Sequence, residues 1–542
     1  MKNIQRPVKF RPVTGSSEEN HCKVRRKKFI TLSLFTLSFT FKKDYNMSCK
    51  FFLSIILVTF FYSTVFSQSA KINSIPPALS SITEADLKKD LYQMAGDHFG
   101  GREAGTLDEL KVSMWWADKL RAVGLKPAGD DGTYFQFFSL QRNRISPNSI
   151  VSIGNHSLQL WKDVLIAQTV AAHVSAPIIF VGNGTKADLE KADVQGKAVA
   201  IQASPEGLNL DVSLWERRYP SLVANKFRDD LISRGALAII FITDALAEKS
   251  WDQVVPAMSR GTYNVEGGST AVPTSNIPVL WLHGNNINWV KNEGATLNET
   301  INVEHFEYPS VNIIGKIEGT DPQLSKEYVL FSGHQDHDGV RLPYGTDSIY
   351  NGADDNASVS VALLAIARAF KKKPGRRSAL FVWHGAEERG LLGSRWYSSH
   401  PTVSASSIVA VLNGDMIGRN NPDSAALLGV QPPHKNSSDL VAMGMAANNE
   451  GTKFKLDTLW DKVDHIEGWY FRSDHLPYAR AGFPAIFFTT LLHPDYHTPM
   501  DEANRIDYTK LKRMTEWMYR TGWKVAIANK RLGLEADFKL ER

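Results

Sequence analysis

Hydrophobic and polar positions follow three rhythms along the 542 residues. Two amphipathic helices are predicted early, one after the N-cap Thr83 (EADLKKDLYQMA) and one near LDELKVSMWWADKLRAVG. A Gly-rich turn, HFGGREAGT, separates them. From about 136 to 300, short apolar runs such as PIIFVGNG, GKAVAIQA, LAIIFITD and IPVLWLHG alternate with turns. Their strands are apolar throughout, the pattern of buried strands in a small β-rich module with one or two helices. From 301 onward the pattern is β-α-β. EYVLFSG, RSALFVW, IVAVLNG and FPAIFFTT read as strands. Residues 355–371 read as a helix with Val359, Leu363, Ile366 and Phe370 on one face. Residues 507–529 read as another, with Leu511, Met514, Met518 and Val525 as its stripe. This alternation predicts an α/β fold with a mostly parallel central sheet flanked by helices on both faces. The organisation expected is a leader over 1–67, a main domain in two parts over 68–135 and 301–542, and an inserted module over 136–300.

The leader is set apart by composition. Residues 51–66 are a largely apolar run behind Met47 and Lys50, and Val65 and Ser67 suit the small positions before a cleavage site. The run of 16 residues is short of the roughly 20 that span a membrane. Translation is expected to start at Met47, and the mature chain at Gln68, exported to a periplasmic or extracellular location with no stable membrane span. The first 67 residues carry 12 of the 62 Lys and Arg and 3 of the 57 Asp and Glu. The remainder therefore has 50 basic and 54 acidic residues, so the overall charge of +5 is no footprint for nucleic acid. Both cysteines, Cys22 and Cys49, fall in the leader, which excludes disulfides, thiolate metal sites and a thiol nucleophile from the mature chain.

Candidate chemistry gathers where the predicted strands end, the place where open α/β sheets bind ligands. EYVLFSG runs into His334-Gln335-Asp336, and IYNGADDN places Asp354 and Asp355 at a helix start. RSALFVWHGA runs into Glu387-Glu388 and IVAVLNG into Asp415. FPAIFFTT is followed by a loop with His493 and His497. Singly, each has an ordinary explanation as a cap, a helix-dipole partner or a loop residue. Together, at least two imidazoles and four carboxylates from five strand ends concentrate more negative charge than a buried site tolerates without a cation. The donor set suits zinc or another divalent ion with open positions, and a carboxylate left over can bridge two ions about 3.5–4 Å apart.

These residues lie in the ordered motifs GREAGT, GHQDH, NGADDNAS, GAEERGLLGS and NGDMIG, closed by DYHTPMD. With them the chain resembles the M28 family of zinc aminopeptidases, the branch with an inserted protease-associated domain, over nearly all of residues 75–530. The resemblance implies the zinc-peptidase (phosphorylase/hydrolase-like) fold and two zinc ions. By motif, His334 and Asp415 would hold one ion, Glu388 and His497 the other, and Asp354 would bridge them. Glu387 would be the general base. Asp336 would orient the His334 imidazole, and Asp355 would stand behind the ligands, with the Asp354–Asp355 peptide bond often cis in the family. Asp474 and His475 match a motif near the substrate. Two positions depart from the family: Gln335 stands where Tyr is common and Val359 where Gly is common. His384 is also unusual before GAEE, and is expected to be a packed or hydrogen-bonded residue.

The resemblance implies a hydrolase that removes N-terminal residues from peptides or proteins with a free N-terminus. Three other readings stand beside it: a one-zinc glutaminyl cyclase-like transferase, a di-zinc carboxypeptidase or deacylase, and a non-catalytic receptor-like module. The inserted module is expected to supply no metal ligand, its His156, His173 and His283 being scattered without the strand-end carboxylate partners of the later residues.

Overall fold

The computed structural model describes residues 75–266, 277–536, 538 and 540. The leader, with its cleavage site and both cysteines, lies outside them. No helix of the described residues is long and apolar enough to cross a membrane.

The main sheet has nine principal strands: β1 Phe135–Ile145, β2 Thr262–Val265, β3 Val303–Ile317, β4 Tyr328–His334, β5 Ser378–His384, β6 Ile408–Gly414, β7 Ser424–Leu428, β8 Lys455–Asp457 and β9 Ala485–Thr489. Their order is β8-β7-β9-β6-β4-β5-β3-β1-β2, with the short Lys126–Pro127 strand paired to β3. The four central strands, β9, β6, β4 and β5, are parallel. β3, β1 and β2 add on one side through antiparallel pairings, and β7 pairs antiparallel with β9 on the other. The sheet is therefore mixed, which corrects the expectation of a mostly parallel one. The apolar runs of the central strands are buried on both faces, as sequence reading required. The long polar-apolar strand β1 pairs over its whole length with β3 and gave no parallel signature.

Helices Glu84–Met94, Leu107–Val123, Val359–Lys372 and Tyr508–Ile527 share one large apolar core with this sheet. Thr83 caps the first by accepting the Asp86 N–H, and Asp507 caps the last by accepting the Lys510 N–H. The helix expected from 355 starts at Val359, because Asp355 and Asn356 have non-helical backbone angles and the peptide bond between them is cis. Val359 fits the crowded strand ends because it faces two glycines. A Cβ on Gly333 would come within 2.6 Å of its Cγ1, and one on Gly414 within 3.0 Å. Gln335, the other departure, is buried and donates to Ser113 Oγ at 2.9 Å and the Val311 carbonyl at 3.0 Å.

Within the insertion, eight strands between Ile150 and Ile301 form a second sheet, in the order His156–Leu158, Ile150–Ile153, Thr296–Ile301, Ala172–Phe180, Ala198–Gln202, Ala238–Ile242, Val279–Leu282, Val164–Ile166. Helices Trp215–Ser233 and Ala245–Arg260 pack on it. β2 and all but the first residue of β1 lie inside the expected module boundaries, and both strands pair with the main sheet.

Candidate metal centre

Four parallel strands deliver the candidate residues to one place. His334 is the last residue of β4. Glu387 and Glu388 follow β5 in a single turn, Asp415 follows β6 directly, and His497 sits in the loop after β9. The GREAGT motif sets the floor beneath them. Its Arg102 is fully buried, and its guanidinium donates to the carbonyls of Gln335, Asn351, Gly352 and Met94 at 2.6–3.1 Å. One cation thereby ties together the loop after His334 and the loop before Asp355. Gly101 keeps this approach open: at φ +67° a Cβ there would meet the Gly339 and Tyr350 carbonyl oxygens at 2.7 Å.

Asp355 occupies the middle. Its Oδ1 lies 3.2 Å from His334 Nε2, and its Oδ2 lies 3.2 Å from His497 Nε2. On the first side Asp415 Oδ1 is 3.5 Å from His334 Nε2; on the second, Glu388 Oε1 is 3.3 Å from His497 Nε2. Two imidazole–carboxylate groups therefore share one carboxylate. Ring orientation is set from behind. His334 Nδ1 donates to the Asp336 carbonyl at 3.1 Å, leaving Nε2 as the lone-pair nitrogen, and His497 Nδ1 is 3.1 Å from Asp338 Oδ2.

The donor atoms pass a simple test for a cation. His334 Nε2 and Asp415 Oδ1 are buried without a hydrogen-bond partner. Unpaired polar atoms of this kind are costly unless something else satisfies them. Three groups of carboxylate and imidazole donors converge closely enough to hold an ion: His334 with Glu387 and Asp415, His337 with Asp355 and Glu388, and Asp338 with Glu388 and His497. Nitrogen and oxygen donors without thiolate fit zinc.

Mutual charge controls the titration of the group. Burial opposes ionisation of Glu388, but His497 and His337 override it and hold the carboxyl well below its ordinary range. Burial likewise disfavours a charged His497, yet Glu388 and then Tyr496 and Asp355 push it up to about 10. Glu387 behaves oppositely: burial, reinforced by Asp415, Glu388 and Asp474 against the pull of His334, raises it well above a normal glutamate.

Several of the expected site residues lie elsewhere. Asp354, expected as the bridge, points away. Its Oδ1 accepts the Gly418 N–H at 2.6 Å, and its Oδ2 lies 3.5 Å from His493. Asp501 accepts the backbone N–H groups of both Asp354 and Asp355, fixing a turn that aims Asp355 into the centre. Asp355 therefore takes the central place rather than one behind it, and the cis bond follows it. The Asp336 carboxylate lies 3.8 Å from His334 Nδ1 and accepts the N–H groups of Glu387 and Glu388 at 3.0 and 3.3 Å. Asp474 and His475 are fully buried behind the cleft rather than along it, His475 stacked on Phe487. His384 is buried and bonded to Asn312 and Tyr478.

Two residues of the site went unassigned in the sequence, His337 and Asp338. His337 Nδ1 lies 2.8 Å from Glu388 Oε1. Their signal was present in the run His334–Asp338, where four of five side chains can bind metal or protons. Among the described residues, none of the three candidate groups draws on the insertion. Its His283 instead contacts Glu248 and the Lys162 carbonyl.

Beside these groups opens a cleft of about 250 Å³, whose wall includes Leu391, Met416, Trp469, Phe471 and Tyr496.

The sequence profile of peptidase family M28 matches residues 312–521, a span that includes every residue of the centre from His334 to His497. Aminopeptidase YwaD of Bacillus subtilis (strain 168) is 24% identical over 464 residues, covering 81% of this chain and 87% of that protein. A probable leucine aminopeptidase of Trichophyton verrucosum (strain HKI 0517) is 28% identical over 224 residues, 38% of this chain and 56% of that one. Among solved structures, an aminopeptidase from Aneurinibacillus sp. strain AM-1 shares the fold with a TM-score of 0.54 at 19% identity, over 85% of this chain and 98% of that chain. BSAP, a zinc aminopeptidase from Bacillus subtilis, does so with a TM-score of 0.52 at 19% identity, over 84% and 99%.

Proposed function

We propose that this chain, a metallopeptidase carrying a peptidase family M28 domain, is an exported aminopeptidase that works with two zinc ions. The observation that carries the reading is Asp355, one carboxylate with an oxygen toward each of two imidazole–carboxylate groups. His334 and Asp415 would hold one ion and Glu388 and His497 the other, with Asp355 between and His337 beside the second. The filled second group speaks for this reading over a one-zinc transferase. Zinc bound there supplies Lewis acidity, which lowers the pKa of water and polarises a carbonyl.

Glu387 moves the proton. Its carboxylate lines the cleft with Oε2 3.8 Å from His334 Nε2, and its backbone is held by Asp336. It accepts a proton from water as the water oxygen bonds to the scissile carbonyl carbon. It returns that proton to the departing amine as the C–N bond breaks. Its raised proton affinity suits the return step, and the same burial keeps competing solvent away. The wall of Leu391, Met416, Trp469 and Phe471 offers an apolar seat for the first side chain. The second sheet is the protease-associated module of this reading. Export rests on the apolar run at residues 51–66 and the small residues Val65 and Ser67.

The test is zinc-loaded protein assayed on leucine p-nitroanilide and its N-acetyl form. The reading expects turnover of the free amine and little of the blocked one. Equal rates on both would refute an aminopeptidase.

A further inference from the structure

Six arginines line a cavity of about 660 Å³ that also includes Glu388 and His497 of the metal centre, and Arg217, Arg260, Arg341 and Arg389 are four of them. Two come from the second module: Arg217 in the first turn of helix Trp215–Ser233, and Arg260 at the end of helix Ala245–Arg260. Two come from the main domain: Arg341 in the strand Gly339–Tyr344, and Arg389 next to Glu388. Elements from distant parts of the sequence thus place like charges around one space.

The protein supplies too few counter-charges. Glu103 lies 3.1 Å from Arg389 and 3.5 Å from Arg260. Asp338 pairs with Arg341, lies 3.6 Å from Arg389, and is also engaged by His497. Two carboxylates thus serve three of these four guanidinium groups. Arg217 has no ion pair or hydrogen bond among the described residues. Arg389 Nε is buried without a hydrogen-bond partner. Asp355, Glu388 and Asp415 are turned toward the metal positions. A cation excess held partly out of water is stabilised by an anion, and guanidinium forks suit a carboxylate.

We infer that this cavity receives a carboxylate of the substrate, so that short anionic peptides are preferred over neutral ones. The inference rests on the aminopeptidase reading and adds to it a substrate class and a role for the inserted module. The cavity volume is that of a small-molecule site, enough for a peptide of a few residues. The carboxylate can be the C-terminus of a di- or tripeptide or an Asp or Glu side chain after the first residue. Both offer the same chemistry.

The experiment uses non-hydrolysable analogues of Leu-Gly-Gly with a reduced first peptide bond, titrated calorimetrically into the zinc-loaded full chain. Three ligands are compared: the free acid, its C-terminal amide, and an amide in which Glu replaces the second residue. At least one of the two anionic ligands should bind about tenfold or more tightly than the neutral amide, the scale of a charge-assisted hydrogen bond. Preference for the free acid assigns the C-terminus, and preference for the Glu amide assigns the side chain. Arg217→Met and Arg260→Met should each bring that ratio toward one. Equal binding of all three ligands, or a ratio unchanged in both variants, overturns the inference. Turnover of leucine p-nitroanilide by the same protein reports separately on the aminopeptidase reading, and these titrations need no turnover.

Discussion

The Asp336 carboxylate accepts the backbone N–H of Glu387 at 3.0 Å. Asp336 therefore acts on the turn that carries Glu387, the proposed proton shuttle. Asp336→Ala should free that turn and lower kcat by about 10- to 100-fold, the usual scale for a partner standing behind a metal site. Zinc content, measured on the same preparation, should stay near that of the wild type.

Glu387 and Glu388 are neighbours with opposite electrostatics. Glu387→Gln should keep its metal and lose about 10²–10⁴-fold in kcat, as expected when a general base becomes an amide. Glu388→Gln should bind less zinc and regain part of its activity as zinc is added, because a neutral ligand replaces an anionic one. Zinc analysis alongside steady-state kinetics separates the two. The reverse pattern would exchange their roles.

How much of this was legible in the sequence depended on the scale of the question. The central strands and the helices around them follow from apolar runs and stripes that burial alone decides. The ends of those strands likewise pointed to His334, Glu387, Glu388, Asp415 and His497. Adjacent Asp354 and Asp355 could not be told apart in this way. Which one faces the centre depends on Gly418 capturing Asp354 and on Asp501 holding the backbone, contacts from 64 and about 147 residues away. His337 and Asp338 were hidden for a related reason: a strand end turning into a loop no longer alternates its faces. The antiparallel flanks of the sheet were missed because β1 and β3 belong to opposite ends of the insertion and pair across it.

Arg102 holds four backbone carbonyls from three segments. Arg102→Met leaves those carbonyls buried without a donor. Stability should fall by about 3–5 kcal/mol, as when one partner of a buried charged network is removed. Chemical denaturation should show the drop, with zinc affinity weakened as well because the loops of Gln335 and Gly352 lose their tie.

Glu299, on a buried strand of the second sheet, has both carboxylate oxygens buried without a partner. Burial raises its pKa from 4.5 to about 8. Folded, the group stays neutral to about pH 8; unfolded, it ionises near 4.5. Between those values the unfolded chain binds fewer protons, so stability falls as pH rises and levels off above about 8. The full effect is on the order of 5 kcal/mol. Glu299→Gln should remove it: melting curves at pH 5 and pH 8.5 should show a smaller loss in the variant. An equal loss in both proteins would mean that Glu299 is ionised in the fold.

The central claim is that Asp355 stands between two metal ions. Diffraction from zinc-loaded crystals on either side of the zinc absorption edge tests it directly. The account predicts two anomalous peaks per chain, one beside His334 and Asp415 and one beside Glu388 and His497, with the Asp355 carboxylate reaching both. A single peak, or a pair bridged by any other residue, would contradict it.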